Sequence, residues 1–480
     1  MNQLLRTKPI SELTGGGEQD GLKRVLTSWM LVALGVGAII GTGIFVLTGT
    51  AAANHAGPAL VLSFVLAGIG CAFAGLCYAE FASMIPVSGS AYSYSYATLG
   101  EGIAWFIGWN LILEYLFAAS TVAVGWSGYL VSFLHQIGID LPAYLVHAPF
   151  QKVAGGHAIE ASGALVNFPA VAIVLLIGSL CYVGIQQSAW VNNIVVALKV
   201  TVILLFIAFG VNYVSADNWH PFIPENTGTF GHYGWSGIAT GAAVIFFAYI
   251  GFDAVSTAAQ EAKDPQRSMP IGILGSLVVC TILYIVVALI MTGLVSYTEL
   301  NVPAPVALAM DKHPELSWLA GWVKFGAIAG MTSVMLVMML GQPRIFFAMS
   351  RDGLLPKPFG KVHPKFGTPH IATVITTVLA AIIAGLFPVD VLGELVSIGT
   401  LLAFVTVCIG VLVLRRTRPD LERPFKVPAP AFTCTAGALV CGYMMYSLPN
   451  DTWIRLAVWT LIGIAIYIFY GRKHSKLHQQ

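Results

Sequence analysis

Residues 35–45, GVGAIIGTGIF, hold Gly35, Gly37, Gly41 and Gly43 within an apolar run that begins near Trp29. A glycine in a helix interior is less favourable than alanine by about 1 kcal/mol, so the chain weakens this run at one place. Three readings compete. Gly35-x-Gly37-x-x-x-Gly41 has a superficial likeness to a dinucleotide-binding loop, but that loop needs a preceding strand and a βαβ unit, and the surrounding apolar pattern offers neither. Gly37-x-x-x-Gly41 is also a small-residue face along which two helices can approach closely, which leaves Thr42 and Gly43 unexplained. The third reading is an interrupted membrane helix. Unpaired backbone groups survive in hydrocarbon only where protein or a water-lined cavity satisfies them, and transporters use such breaks to offer N–H groups to an anion and carbonyls to a cation.

Composition supports a membrane setting. The 480 residues are 57% hydrophobic and 10% charged, against about 25% charged in soluble domains. The net charge of +2 comes with no basic cluster, so no nucleic-acid partner is expected. The seven cysteines lie in apolar runs without a CxxC pair, and the eleven histidines lie mainly in loops; neither a disulfide framework, a metal site nor a cofactor is implied. The polar first residues, MNQLLRTKPISELTGGGEQDGLKR, argue against a cleaved signal peptide.

A spanning helix needs about 20 mostly apolar residues. That criterion predicts about twelve spans, at 29–53, 58–85, 103–134, 168–185, 190–214, 235–260, 271–295, 318–349, 371–387, 389–414, 430–448 and 452–471. An even number puts both termini on one side. With the N-terminus inside, Lys152, Lys312, Lys324 and Arg455 alone are left outside and Lys199 within a span. The other basic residues, among them Arg6, Lys8, Lys263, Arg351, Arg415, Arg423, Arg472 and Lys473, fall inside, which sets a cytoplasmic N- and C-terminus in the cell membrane. No soluble region is large enough for an enzyme's active site.

A broken first span predicts a partner at the corresponding place of an inverted repeat. FFAYIGFDAVS, residues 246–256, sets Gly251 mid-span in the sixth helix, with Asp253 just after it. The expected organisation is a cytoplasmic segment 1–25, a first repeat 26–214, a second repeat 235–414, two peripheral helices at 427–471 and a tail 472–480.

LKRVLTSWMLVALGVGAIIGTGIFVLTG, YAEFASMIPVSGSAYSYSY, GWNLILEY, EAKDPQRSMPIGI and LVSIGTLLAF, in that order between Leu22 and Arg416, resemble the cationic amino acid transporters of the amino acid-polyamine-organocation superfamily, in their twelve-span bacterial form. The resemblance implies an all-α, LeuT-like five-plus-five fold and a secondary active transporter importing L-amino acids. By position, the Gly41, Thr42 and Gly43 amides would bind the substrate carboxylate, and the carbonyls of Ile39, Ile40, Phe247 and Ile250 the α-ammonium group. Phe246 or, preferentially, Phe247 would lid the substrate, and Ala118, Ala119 and Met331 would face its side chain, with Ser397 and Thr400 adding hydroxyls. These lining residues predict a broad site for small neutral and cationic amino acids.

Intramembrane charges are functional candidates by default. Lys199, about 15 Å into the fifth span at 1.5 Å per residue, either snorkels or pairs structurally, or fills the position of sodium in sodium-coupled relatives. In the latter case the Gly37 carbonyl, Thr332 and Ser333 line its slot, and proton coupling is expected. Glu114 is a proton site, a contact for a basic side chain or a structural partner; Asp253 caps the second half-helix or gates it; Glu80 lies near the cytoplasmic end. PVSGSAYSYSYATLGEG and SRDGLLPKPFGKVHPKFGTPH are expected gate segments. An exchanger and an amino acid-sensing transceptor remain as alternatives. The expected partners are substrate, proton and membrane lipid, with a small accessory membrane subunit left open.

Overall fold

A computed structural model describes residues 4–9, 26–85, 90–152, 159–184, 189–257 and 262–478. Most of the expected segment 1–25, the start of the first gate segment at 86–89, and the residues 258–261 that end the sixth apolar run lie outside the described residues.

The chain is an all-α membrane protein. Helix α1, Ser28–Ile39, starts where the Thr27 hydroxyl accepts the Met30 N–H. After a gap, helical structure resumes over Gly43–Leu47, Thr48–Ala51 and Ala52–Ala56. There follow α2 Leu60–Met84, α3 Ser90–Thr98, α4 Glu101–Gln136, α5 Phe168–Val183, α6 Ala189–Gly210 and α7 Gly234–Ile245. The remaining helices are α8 Pro265–Leu294, α9 Pro305–Asp311, α10 Ser317–Arg351, α11 His370–Leu386, α12 Val389–Thr417, α13 Pro430–Tyr446 and α14 Asn450–Ile466. Helix lies in each of the apolar intervals expected from the sequence. Among the described residues, seven helical runs are long and apolar enough to cross a membrane by length and composition, and Ser28–Ile39, Phe168–Val183, Gly234–Tyr249 and His370–Leu386 are shorter apolar helices. The short α3 and α9 add to the expected set, as does an antiparallel pairing of β1 (Phe150–Lys152) with β2 (Ile159–Ala161) in the loop after α4.

Helix α4 is the central post. It packs along α10, α12, α11 and α5, and 89% of its most apolar window is buried, against 22% for the run Asn450–His474 that contains α14. The broken first helix is held from the other side by α8, which also packs along α2.

Two polar assemblies tie the ends of these helices together. Glu80 at the end of α2 is buried; its carboxylate accepts from Arg415 at 3.0 and 2.5 Å and from the Val427 N–H at 2.8 Å, with Arg423 at 3.4 Å. The second joins both termini. Buried Glu101 accepts from the Tyr96 hydroxyl at 3.1 Å, the Tyr467 hydroxyl at 2.8 Å and the Ser475 hydroxyl. Asp352 accepts from Lys8 at 2.8 Å and Tyr92 at 2.7 Å, and Arg6 donates to the Leu477 carbonyl at 2.8 Å. The two expected gate segments therefore meet in one network, fastened by the chain ends.

Removing one member of a buried ion pair leaves the others uncompensated, which typically destabilises by about 3–5 kcal/mol. Glu80→Ala is expected to lower the unfolding temperature of the detergent-purified protein steeply, as measured by fluorescence-detected thermal unfolding; an unchanged midpoint would show that the two arginines find other acceptors.

Candidate functional site

The first helix opens at Ile40, which is extended (φ −73°, ψ 104°). The second opens at Ile250 (φ −62°, ψ 137°) and Gly251 (φ +114°), after a tightened turn over Phe246–Tyr249 and before the short helix Ala254–Thr257. The two gaps are locked against each other. A Cβ on Gly43 would lie 2.2 Å from the Ala248 Cα, and one on Gly251 would lie 2.7 Å from the Ala38 carbonyl oxygen. Positive φ at Gly251 is open to glycine and strained for other residues. Close-approach glycines and a helix break are thus both present: Gly35 and Gly37 press on Ser276 and Val196, and Gly41 on Val334.

The opening of the chain leaves donors and acceptors to be satisfied. The first N–H groups of a helix have no intrahelical partner, so the amides that open the run after the gap are candidate donors to an anion. The carbonyls go to named side chains. Lys199, fully buried, donates from Nζ to the carbonyls of Gly37 at 2.6 Å, Ile40 at 2.9 Å and Gly330 at 3.5 Å. The Tyr284 hydroxyl lies 3.1 Å from the Ile39 carbonyl and 3.0 Å from that of Ala248, joining both breaks. Past the gap, Thr48 Oγ1 lies 2.9 Å from the Gly43 carbonyl and 2.9 Å from that of Ile44. Among the described residues the buried Thr42 and Ser333 hydroxyls have no hydrogen-bond partner, a state that ordinarily costs about 1–3 kcal/mol.

The residues singled out from the sequence gather as follows. Gly37 and Lys199 meet directly. Thr332 turns elsewhere, donating to the Ile328 carbonyl at 2.8 Å and accepting from the Trp126 indole at 3.0 Å; α10 reaches the ammonium group through the Gly330 carbonyl. Ile40, expected to offer its carbonyl to a substrate, offers it to Lys199. Phe246 packs on Phe404 with ring centroids 5.3 Å apart, whereas Phe247 has no ring partner among the described residues. Glu114 and Asp253 are buried and interact with each other; Glu114 also meets Thr400, and the Asp253 carboxylate receives the Tyr115 hydroxyl at 3.4 Å. The Asp253 carbonyl accepts the Ser256 N–H at 2.8 Å, closing the turn that opens the second half-helix. Ala118, one helical turn beyond Glu114, and Met331 are buried. Tyr284 and Gly330 escaped the sequence reading: a tyrosine in an apolar run has a core role by default, and a carbonyl carries no side-chain signal.

A cavity of about 990 Å³ adjoins this site: Val46, Val124, Gly125 and Val244 are among its lining residues, with Gly125 abutting Thr42, as are Asn54, His55, His232, Asp390 and Glu394.

A bundle of apolar helices with two interlocked interruptions defines a multi-pass membrane protein. The chain belongs to the amino acid permease family of the amino acid-polyamine-organocation superfamily, whose profile matches residues 26–469. These are transporters and not enzymes. Among its relatives, the branched-chain amino acid permease BcaP of Bacillus subtilis is 50% identical over 99% of both chains. The methylthioribose transporter of the same organism is 47% identical over the full length of both. The cationic amino acid transporter 3, mitochondrial, of Arabidopsis thaliana is 39% identical over 99% of this chain and 96% of its own.

Tyr284→Phe leaves the Ile39 and Ala248 carbonyls without their shared donor. A loss of about 1–3 kcal/mol is expected, seen as a lower unfolding temperature together with weakened amino acid binding by isothermal titration; normal stability and binding would mean that water replaces the hydroxyl.

Proposed function

We propose that this protein is a proton-coupled secondary transporter that imports L-amino acids across the cell membrane, with a broad site for small neutral and cationic side chains. The observation that carries the reading is the Lys199 ammonium group seated on the Gly37 and Ile40 carbonyls at the first helix break. An amine there can hold the broken helix while charged and release it on losing its proton. The Ile40 carbonyl has two lone pairs, so it can answer both to Lys199 and to the α-ammonium of a substrate. That shared acceptor links substrate to proton in this reading. The carboxylate end would lie on the Gly41, Thr42 and Gly43 amides, with the Thr42 hydroxyl as a further donor and Phe247, a ring with no aromatic neighbour among the described residues, as lid.

The organisation proposed with it is twelve spans in a LeuT-like five-plus-five inverted repeat, 26–214 and 235–414, followed by peripheral helices over 427–471, with 1–25 and 472–480 in the cytoplasm. The paired breaks and their glycine contacts support the repeat, and the distribution of lysine and arginine supports the sidedness. Relatives named for branched-chain and for cationic substrates are compatible with recognition centred on the shared backbone head group. Methylthioribose, named for a third relative, lacks that head group and is the informative competitor.

Two measurements test this reading. In proteoliposomes, an inward proton gradient should accelerate uptake of labelled alanine, and Lys199→Ala should abolish that acceleration; a full pH response in the variant would remove Lys199 from coupling. Uptake that requires internal amino acid and ignores the gradient would instead favour exchange, and binding without either flux would favour a sensor. In competition, alanine, leucine and arginine should each reduce uptake while methylthioribose does not. Inhibition by methylthioribose alone would overturn the amino acid assignment.

A further inference from the structure

Thr42 precedes the helical run that resumes at Gly43 after the first break. A threonine inside a helix commonly returns its hydroxyl to the carbonyl four residues back, as Thr48 does to Ile44 at 2.9 Å and Thr400 to Val396 at 3.1 Å. Thr42 makes no such bond: the chain is extended at Ile40, and the carbonyl four residues back, that of Ala38, lies against Gly251. Its side chain is fully buried, with a hydroxyl that has no hydrogen-bond partner among the described residues.

What Thr42 meets instead is α4. A Cβ on Gly125 would lie 2.6 Å from Thr42 Cγ2, 3.0 Å from Thr42 Oγ1 and 3.1 Å from Val46 Cγ2. The methyl and the hydroxyl of Thr42 therefore both lie against the bare backbone of one glycine, which with Val46 and Val124 lines the 990 Å³ cavity. Gly125 stands seven residues after Ala118, about two turns along the same face of α4. Glycine is a poorer helix former than alanine, and Gly125 is not among the glycines of positive φ, so close approach is what calls for it here.

We infer that Gly125 is a positioning residue for the carboxylate of the substrate: lacking a side chain, it lets α4 touch Thr42 and sets where the Thr42 hydroxyl and the amides after the gap stand. This role rests on the head-group reading proposed above; Gly125 plays it through Thr42 and does not itself touch the substrate. The orphaned hydroxyl fits the role, since a donor already spent on a helical carbonyl would not be open to an anion. Every amino acid shares the head group, so a displaced Thr42 weakens alanine, leucine and arginine by one common factor. A residue that faces the side chain would instead reorder them. Gly128, one turn further along the same wall, makes an equally tight contact elsewhere: a Cβ there would lie 2.6 Å from the Pro303 Cβ.

The test is proteoliposome uptake of labelled alanine, leucine and arginine by wild-type protein, Gly125→Ala and Gly128→Ala, the two variants each with and without Thr42→Ser, after every protein has been checked for elution as a single folded species. Gly125→Ala should raise KM about tenfold for all three substrates, with the maximal rate held within about twofold. Thr42→Ser removes the methyl group that the new Cβ would strike and keeps the hydroxyl, so adding it should bring the KM of Gly125→Ala back to within about threefold of wild type. The same addition should not lower the KM of Gly128→Ala. An unchanged KM in Gly125→Ala, a reordering of the three substrates, a fall in maximal rate at constant KM, or equal rescue at Gly128 would each overturn the role. If Gly125→Ala folds only together with Thr42→Ser, a KM near wild type in the double variant supports the contact, and a double variant that also fails to fold overturns it. Wild-type protein that takes up none of the three amino acids would overturn the head-group reading, whereas wild-type uptake with an unmoved KM in Gly125→Ala would overturn this role alone.

Discussion

The site depends on one buried ammonium group. Lys199 brings a charge into the apolar interior, where it is tolerated only against concentrated negative dipole. The carbonyls of Gly37 and Ile40 supply that dipole because the first helix stops there, and they lose their helical partners for the same reason. Each defect answers the other: without the break there is no acceptor for the lysine, and without the lysine the ends of α1 have orphaned carbonyls in a dry environment. The Gly330 carbonyl brings α10 into the same contact, so one amine joins α1, α6 and α10.

The rest of the site is organised by close backbone approach. Gly43 lies against Ala248 and Gly251 against Ala38, which brings the two breaks within reach of a single hydroxyl, Tyr284 Oη. In the proposed function the groups that recognise substrate belong to the backbone, so the side chains around them can differ without altering the head-group chemistry. Relatives named for branched-chain and for cationic amino acids are compatible with that proposal, whereas the one named for methylthioribose falls outside it. Around this centre the ends of the bundle are fastened by Glu80 with its two arginines and by Glu101 and Asp352 with both chain termini.

Much of this was legible in the sequence. Glycine at Gly41 and Gly251, mid-run in otherwise apolar stretches, marked both breaks, and the depth of Lys199 marked an unusual charge. The neighbours of that charge were only partly legible. Thr332 and Ser333 are hydroxyl residues on the right helix, but rotation of α10 turns Thr332 toward Trp126 and leaves the Gly330 carbonyl facing the amine. Glu80 read as a residue near the cytoplasmic end of its helix; its burial depends on Arg415 and Arg423, more than three hundred positions away along the chain.

The sequence by itself determined the helical membrane class, the course of the apolar runs and the places where two of them fail, because hydrophobicity and glycine content act locally along the chain. Only the tertiary structure decided which carbonyl receives Lys199, that Ile40 serves it, and that Tyr284 bridges the two gaps. Those outcomes depend on helix rotation and on distances of a few tenths of an ångström, which packing sets among residues remote in sequence.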